Sequence, residues 1–484
     1  MTPLPRPAVR WLSLDRPHAG AAVVAVAFVL GGCALKAPPT GDEIRAQSMP
    51  NFKASGAWTG GPTAPGNVAD RWLATFNDPA LDALVAEALA YNADLMVASA
   101  RVEQAAGYAK LAGAAIYPAV NLLARGGGKF GGDGSGLSGV GVFANWELDL
   151  WGRARAAGEA GSQQYQSAIL DAEYARQSIA ALTCKSWLLA IEARMQLAIA
   201  RDVVAASEKT LGLARERARI GNGSEYEVAL AQANLDSFRD AARQLALAQV
   251  QAVRALEVLA GRYPAAALDV PAALPGKPVA VPVGLPSDLL ERRPDIVAAE
   301  RRVAAAFNRV EEAKAARLPK IGLTVSASSV SSSLFVLKDH NNIVGSAGAS
   351  FLAPLFSGYA LEANVDIRTA EQKQAIAEYA RTAAKAFADV ESALSAEFAA
   401  DEREAILASA AASNARALEL AEVRYRVGSG DLRAVLQQNV ALYAARTALI
   451  RVQTERLVQR VNLYIALGGS FDAPPAATPT AATR

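Results

Sequence analysis

The sequence is poor in the residues that usually carry catalysis or bind metals. Its 484 residues include only two cysteines and two histidines. His18 lies near the N-terminus and His340 in a polar loop between two strand-like runs, so they cannot form a multi-histidine metal site. No nucleophile elbow or Walker loop occurs. We therefore expect neither an enzyme nor a cofactor or metal site.

The sequence also has little net charge and only short apolar runs. Lysine and arginine number 49 against 47 acidic residues, a net charge of +2, which argues against nucleic acid as a main partner. The apolar run Ala19 to Gly32 is too short to span a membrane. Apart from Cys33 the only cysteine is Cys184, which we expect to be a small core residue.

The N-terminus has the pattern of a bacterial targeting segment. Arginines precede the apolar run, which ends in Leu30-Gly31-Gly32-Cys33 and resembles a lipobox. We predict a signal peptide over 1–32 and a covalent lipid on Cys33; the alternative is an ordinary signal peptide with a chance cysteine. Ala34, in place of an aspartate, favours the outer membrane by resemblance to bacterial sorting rules. Residues 33–66 are rich in Pro, Gly and Thr and predict an extended tether.

One turn occurs twice, between long proline-free stretches rich in alanine. A glycine after a helical run supplies a left-handed C-cap, and Ser224 or Asp431 can cap the following helix. The repeat predicts two helix–turn–helix tips, whose glycines are Gly221, Gly223, Gly428 and Gly430.

The two tips belong to two copies of a longer repeat. A helix from Trp151 to Arg219 would span about 100 Å, too long for a compact domain, which implies a fibre, a coiled coil or a tube. A helix over about 80–115 precedes it, and the repeats cover 67–260 and 295–470. Between the repeats lies a Pro-rich linker, 261–294, and a tail predicted to be disordered, 471–484, follows.

Each repeat also has two segments in which apolar and polar residues alternate. In the first repeat Asn145, Glu147 and Asp149 alternate with apolar residues. Such patterning is typical of a membrane β-strand with lipid on one side and water on the other, although a soluble sheet has the same period. Four strands cannot close a barrel, and lipid does not tolerate open edges, so a membrane sheet needs several copies of the chain.

Two motifs are distinctive: Trp72-Leu73-Ala74-Thr75-Phe76-Asn77-Asp78-Pro79-Ala80-Leu81 and Leu289-Leu290-Glu291-Arg292-Arg293-Pro294-Asp295-Ile296. They resemble motifs of outer-membrane efflux lipoproteins, the NodT branch of the TolC-like family. The resemblance covers about residues 66–470. It implies a mixed α+β membrane protein in which three protomers give four strands each to a twelve-stranded outer-membrane β-barrel. A long periplasmic α-helical barrel would continue it.

The resemblance further implies passive conduction by a homotrimer, driven by an inner-membrane pump of the RND type and a periplasmic adaptor. The adaptor would dock at the tip turns, and Asn145, Glu147 and Asp149 would line the lumen. Gln437 occupies a position where the family often has an acid, so Asp431, Arg433 and Gln437 are the candidate constriction. The alternatives are the outer channel of a type I protein secretion system and a lipid-anchored periplasmic coiled-coil scaffold. The substrate stays open.

Overall fold

The structure is a computed structural model that describes residues 37–51, 57–62, 66, 68, 70–125, 137–276, 281–284, 286–332 and 343–471. The predicted signal peptide, Cys33, both histidines and nearly all of the predicted tail lie outside these residues.

The described residues form nine α-helices and four β-strands. The helices are α1 Gly41–Ser48, α2 Pro79–Tyr91, α3 Ala93–Ala114, α4 Arg153–Arg219, α5 Glu225–Leu259, α6 Leu289–Arg292, α7 Pro294–Ala315, α8 Ala360–Arg426 and α9 Leu432–Ala466. The strands are β1 Ala119–Arg125, β2 Leu137–Leu148, β3 Lys320–Ser332 and β4 Val344–Leu352.

The internal repeat is confirmed in the order and length of these elements. Helices α4 and α8 both have 67 residues, and α5 and α9 both have 35, at a constant offset of 207 positions. Helices α3 and α7 both have 22 residues, at an offset of 201 positions. Each copy thus has a helix, two strands, a long helix and a shorter helix.

The chain divides into two compact units. One contains Ala106–Gln164 and Arg302–Ala375, with all four strands; the other contains Ile44–Ala105, Tyr165–Arg301 and the chain from Ile376 onward. The sheet has the order β1-β2-β3-β4 and every neighbouring pair is antiparallel. The central β2–β3 pair therefore joins the strands of one repeat to those of the other.

The single helix predicted over about 80–115 is wrong, because the chain bends by 46° at Asn92. Asn92 has an extended backbone, and its side-chain oxygen accepts hydrogen bonds from the amides of Asp94 and Leu95 at 2.9 and 3.3 Å. It therefore caps α3 and ends α2. In the described ranges no single helix is long and apolar enough to cross a membrane, whereas the bent pair α2–α3 meets that test by length and composition.

The prediction of an extended tether over 33–66 is wrong for Gly41–Ser48, which form helix α1. Thr40 and Glu43 exchange hydrogen bonds through their amides and side chains, at 2.9 and 3.4 Å, and so form a capping box at the start of this helix. Ile44 is fully buried, and Trp58 is buried and donates its indole N–H to the carbonyl of Val283. Parts of this segment are therefore packed against the fold.

Both signature motifs have structural roles in the second unit. Trp72 is buried and its ring is stacked on that of Tyr464, with centroids 5.7 Å apart. Asp78 caps α2 and accepts a hydrogen bond from the indole N–H of Trp187 at 2.8 Å. Arg293, 2 % exposed, donates to both carboxylate oxygens of Asp295, to Asp389 and to the carbonyl of Ala466.

The start of the Pro-rich linker is held by one buried carboxylate. Glu257, near the end of α5, accepts hydrogen bonds from the amides of Ala266, Ala267 and Leu268 at 2.7, 2.7 and 3.0 Å. Burial by itself would raise the pKa of Glu257, but the three amide donors lower it below its ordinary value. The charged form therefore stabilises the turn that follows α5.

We expect Glu257→Gln to destabilise the protein by about 1–3 kcal/mol at neutral pH, because the charged acceptor of three amides is lost. A lowered folded-state pKa gives stability above the unfolded pKa of about 4.3 that is lost as the pH falls through the folded value. The difference in melting temperature between variant and parent should therefore shrink below about pH 4. The exposed Glu419→Gln, measured in the same detergent, is the control; an equal effect there would contradict the assignment.

Candidate functional site

The two tip turns have the same backbone geometry. Gly221 and Gly428 have φ angles of 77° and 84°, in the left-handed region that favours glycine. The amide that follows each glycine bonds back to Arg217 or Arg424, at 2.9 and 3.0 Å. Both long helices thus end in a Schellman motif, which satisfies carbonyls left free at a helix end.

The second glycine of each turn is required for a different reason. A Cβ on Gly223 would lie 3.0 Å from the amide nitrogen of Ala218, and one on Gly430 would lie 2.9 Å from that of Tyr425. Both glycines therefore allow the chain to pass close to the last turn of the preceding helix. All four predicted tip glycines are explained, two by conformation and two by close approach.

The residues after the turns start the next helices as the sequence predicts. Ser224 accepts a hydrogen bond from the amide of Glu227, whose carboxylate accepts one from the amide of Ser224. Asp431 accepts one from the amide of Arg433 at 3.0 Å. Asp431 thus has a structural role as a helix cap.

Two arginine–tyrosine contacts join the hairpins, and each hairpin supplies the arginine of one contact and the tyrosine of the other. Arg433 of the second hairpin lies 5.3 Å from the ring centroid of Tyr226 in the first and donates to its hydroxyl at 3.3 Å. Arg217 of the first hairpin lies 4.6 Å from the ring centroid of Tyr425 in the second and donates to its carbonyl. Each cation lies over an electron-rich ring face, an attraction of about 0.5–2 kcal/mol.

Sequence reasoning missed three of these four residues. Only Arg433 was a candidate, as part of the predicted constriction. Tyr226 and Arg433 are separated by 207 positions and are therefore equivalent residues of the two hairpins, which is the signal that could have found this contact. Nothing in the sequence pattern connects Arg217 to Tyr425.

A small apolar core holds the four helix ends in place below the turns. All four helices of the two hairpins contribute to it, so the hairpins form one packed body near their tips. Its buried members are Leu211, Ala214, Ala231, Leu235, Tyr425, Leu432, Val435 and Leu436.

Gln437 lies beside this core and points away from it. Its neighbour Leu436 is buried, whereas Gln437 is exposed. A neutral, exposed side chain therefore stands at the position where the family resemblance implies an acid. Asp431 and Arg433 are exposed as well, so all three candidate constriction residues are accessible in a single chain.

The strand register divides the sheet into two chemically different faces. On β2 and β3, Val142 lies opposite Ala327, Ala144 opposite Val325 and Trp146 opposite Leu323. The other face pairs Phe143 with Ser326 and Asn145 with Thr324, and the Thr324 hydroxyl donates to the Asn145 side-chain oxygen at 3.2 Å. The predicted alternation thus extends across strands as one apolar face and one largely polar face.

Two of the three candidate lumen residues bind the start of α4. Glu147 accepts two hydrogen bonds from Arg153 at 2.9 and 3.0 Å. Asp149, just after β2, accepts bonds from the amides of Ala154 and Arg155. Asn145 and Glu147 share the polar face, whereas Asp149 has a helix-capping role. The tip residues and these strand residues belong to different units.

Comparison with known proteins gives a consistent result. Residues 84–262 and 285–469 match the family described as outer membrane efflux protein. The chain is 32% identical to the pyoverdine export outer membrane protein OpmQ of Pseudomonas aeruginosa, covering 93% of this chain and 96% of that protein. It is 30% identical to the cation efflux system protein CusC of Escherichia coli, covering 83% and 88%.

Solved structures of outer-membrane channels have a similar fold. The outer-membrane channel OprN superposes with a TM-score of 0.78 at 26% identity, over 91% of this chain and 98% of that one. The open state of the MtrE outer membrane channel of Neisseria gonorrhoeae gives 0.76 at 27% identity, over 90% and 98%.

Gly428→Ala should loosen the second tip, because an L-residue in the left-handed region costs about 1–2 kcal/mol. Hydrogen exchange of the amides around this turn should become about tenfold faster, since each 1.4 kcal/mol is a factor of ten. The matched control is Gly212→Ala in α4, where an added Cβ meets no atom within 4 Å. That change should stabilise by about 0.5–1 kcal/mol. Equal effects at the two positions would refute the role of the left-handed turn.

Proposed function

This chain belongs to the outer membrane efflux protein family, and we propose that it is the outer-membrane channel of a tripartite efflux pump. It conducts small molecules passively: drugs, toxic compounds or metal ions. The observation that carries this is the four-stranded sheet with one apolar and one largely polar face, attached to two 67-residue helices. Such a sheet suits a boundary between lipid and water.

The sheet requires more than one copy of the chain. A membrane sheet must be closed, because lipid offers no partner for the N–H and C=O groups of an open edge. Three copies would supply twelve strands, a number within the range of known outer-membrane barrels. The apolar face would contact lipid, and the face that carries Asn145 and Glu147 would line the water-filled lumen.

The long helices form the periplasmic part of the proposed channel. Together the helices of three copies would enclose a tunnel, and the two tips would face the periplasm. A periplasmic adaptor would dock at the turns that contain Gly221, Gly223, Gly428 and Gly430, and an inner-membrane pump of the RND type would supply load and energy. The packed core beneath the turns supports this proposal, because a docking surface needs a rigid base.

The tips also contain the proposed gate. Arg433 is held against Tyr226 of the other hairpin, and Asp431 caps α9 beside it. Opening would separate helix ends that these contacts hold together. Because Gln437 is neutral, the selection of permeating ions by charge at the tip would depend on Asp431 and Arg433.

In this proposal the upstream pump, not the channel, selects the substrate. The names of two relatives refer to different cargoes: export of pyoverdine and efflux of cations. A passive channel can accept both if the upstream pump selects the cargo. An outer channel for type I protein secretion is the alternative, and a deletion strain tested for sensitivity to drugs and metals and for protein secretion would separate the two.

We also propose that a lipid on Cys33 anchors the mature chain in the outer membrane. The lipobox pattern Leu30-Gly31-Gly32-Cys33 supports this. Cells given a radiolabelled fatty acid should label the parent protein, and Cys33→Ala should lose the label. Cys184→Ala is the control, because Cys184 is buried. Labelling that survives Cys33→Ala would contradict the anchor.

Conduction can be measured with the purified protein in planar lipid bilayers. We expect discrete conductance steps, and a larger open fraction in the double variant Asp431→Ala/Arg433→Ala, which removes a helix cap and the contact with Tyr226. Arg416→Ala, which removes an exposed ion pair with Glu419, is the control. A purified trimer that conducts in neither the parent nor the double variant would overturn the channel.

Planar bilayers also test whether Gln437 lies at the constriction. Gln437→Glu would place an acidic ring at the tip and should shift the reversal potential towards cation selectivity. Gln251→Glu, an exposed glutamine on α5, is the matched control. An equal shift for both variants would show that the constriction lies elsewhere.

A further inference from the structure

Each end of the sheet is a strand with one unpaired edge. Strands β1 and β4 are its outer members, and in the described part of the chain β1 pairs only with β2 and β4 only with β3. Their free edges present unpaired N–H and C=O groups, the usual template for pairing with another chain. Large apolar side chains along them are exposed: Val120, Leu122, Leu123, Phe351 and Leu352.

The internal repeat shows how the strands of the two copies correspond. Strand β3 is equivalent to β1 at an offset of 201 positions, which is also the offset between α3 and α7. Strand β4 is equivalent to β2 at an offset of 207, as for the long helices. The two hairpins agree with both offsets, since Ala119 lies opposite Asn145 and the equivalent Lys320 lies opposite Leu352.

The central β2–β3 pair is therefore a template for a pair that one chain cannot form. In it Asn145 lies opposite Thr324. The residue equivalent to Asn145 is Leu352, and the residue equivalent to Thr324 is Leu123. We propose that β4 of one copy pairs antiparallel with β1 of the next copy in the register that places Leu352 opposite Leu123. This inference rests on the proposed closed barrel and names how its copies join.

The residue types at the two seams support this register. Asn145 and Thr324 are both polar and are hydrogen bonded to each other within the chain. Leu352 and Leu123 are both apolar, on the face that is otherwise largely polar, and are 67% and 51% exposed in the single chain. Directly opposite side chains in an antiparallel pair approach to about 4.5–5.5 Å, so the leucines would bury each other.

The register also explains an exposed segment after β4. Residues Trp146 to Leu148 of β2 have no partner in β1 and pair only with β3. Their equivalents in the second repeat, Ala353 to Leu355, pair with no strand of the single chain and are not themselves in a strand. Leu355 is 96% exposed. In the proposed seam Leu355 lies opposite Val120, and β4 extends to Leu355. Pro354 offers an acceptor but no donor there.

Disulfide cross-linking in outer membranes tests the register. The variant Leu123→Cys/Leu352→Cys places its thiols at directly opposite positions, within the Cα range of about 4.4–6.8 Å that a disulfide needs. After oxidation we expect the one-chain band to shift to two- and three-chain bands, and dithiothreitol to reverse the shift. The variant Val120→Cys/Leu355→Cys should do the same if β4 extends.

The matched control, Leu123→Cys/Ser350→Cys, keeps the same face but moves the register by two residues. The Cα atoms of its two cysteines would lie on a diagonal, about 7–8 Å apart, beyond the Cα range of a disulfide. Single variants measure the background from native cysteines. Cross-linking of the control but not of the Leu123/Leu352 pair would overturn the register. If no pair cross-links in a protein that still conducts, the seam is wrong while the channel stands; a parent that never conducts is instead a failure of the proposed function.

Discussion

The pairing of β2 with β3 is the interaction on which the rest of the sheet depends. It joins residues far apart in sequence, such as Asn145 and Thr324, which are separated by 179 positions, whereas the other two strand pairs are hairpins within one repeat. Because side chains alternate with a period of two, a slip of one residue would place apolar side chains of β3 beside the polar ones of β2. This one register therefore decides whether the sheet has two distinct faces.

Much of this architecture could be predicted from the sequence, because the signals are local or repeated. Gly221 and Gly428 end long helices, and Ser224 and Asp431 start the next ones, through contacts that involve neighbouring residues only. The strands follow from alternation, and the repeat confirms each element twice. The long helices needed no more than an absence of proline and a helix-favouring composition.

The errors arose where a single polar or apolar residue decides the structure. Asn92 interrupts a helix because its side chain caps the next one, and its amide group also donates to the carbonyl of Leu259, which lies far away in sequence. Helix α1 depends on the burial of Ile44 by tertiary packing. The contacts of Arg217 with Tyr425 and of Arg433 with Tyr226 also depend on how two hairpins pack, and no pattern along one helix reports that.

The two kinds of seam have different physical requirements, and the residue types follow them. Asn145 and Thr324 meet within one chain, where folding brings them together and a hydrogen bond between them fixes the register. In the proposed barrel the outer edges meet another copy of the chain. Pairing of two leucines does not require the directional geometry of a hydrogen bond. Both leucines are exposed in the single chain, so their contact would remove apolar surface from water, which stabilises the pair. A repeat that duplicates one hairpin can thus keep its backbone register while its seam residues diverge. In the proposed barrel they are polar where the chain pairs with itself and apolar where it would pair with another copy.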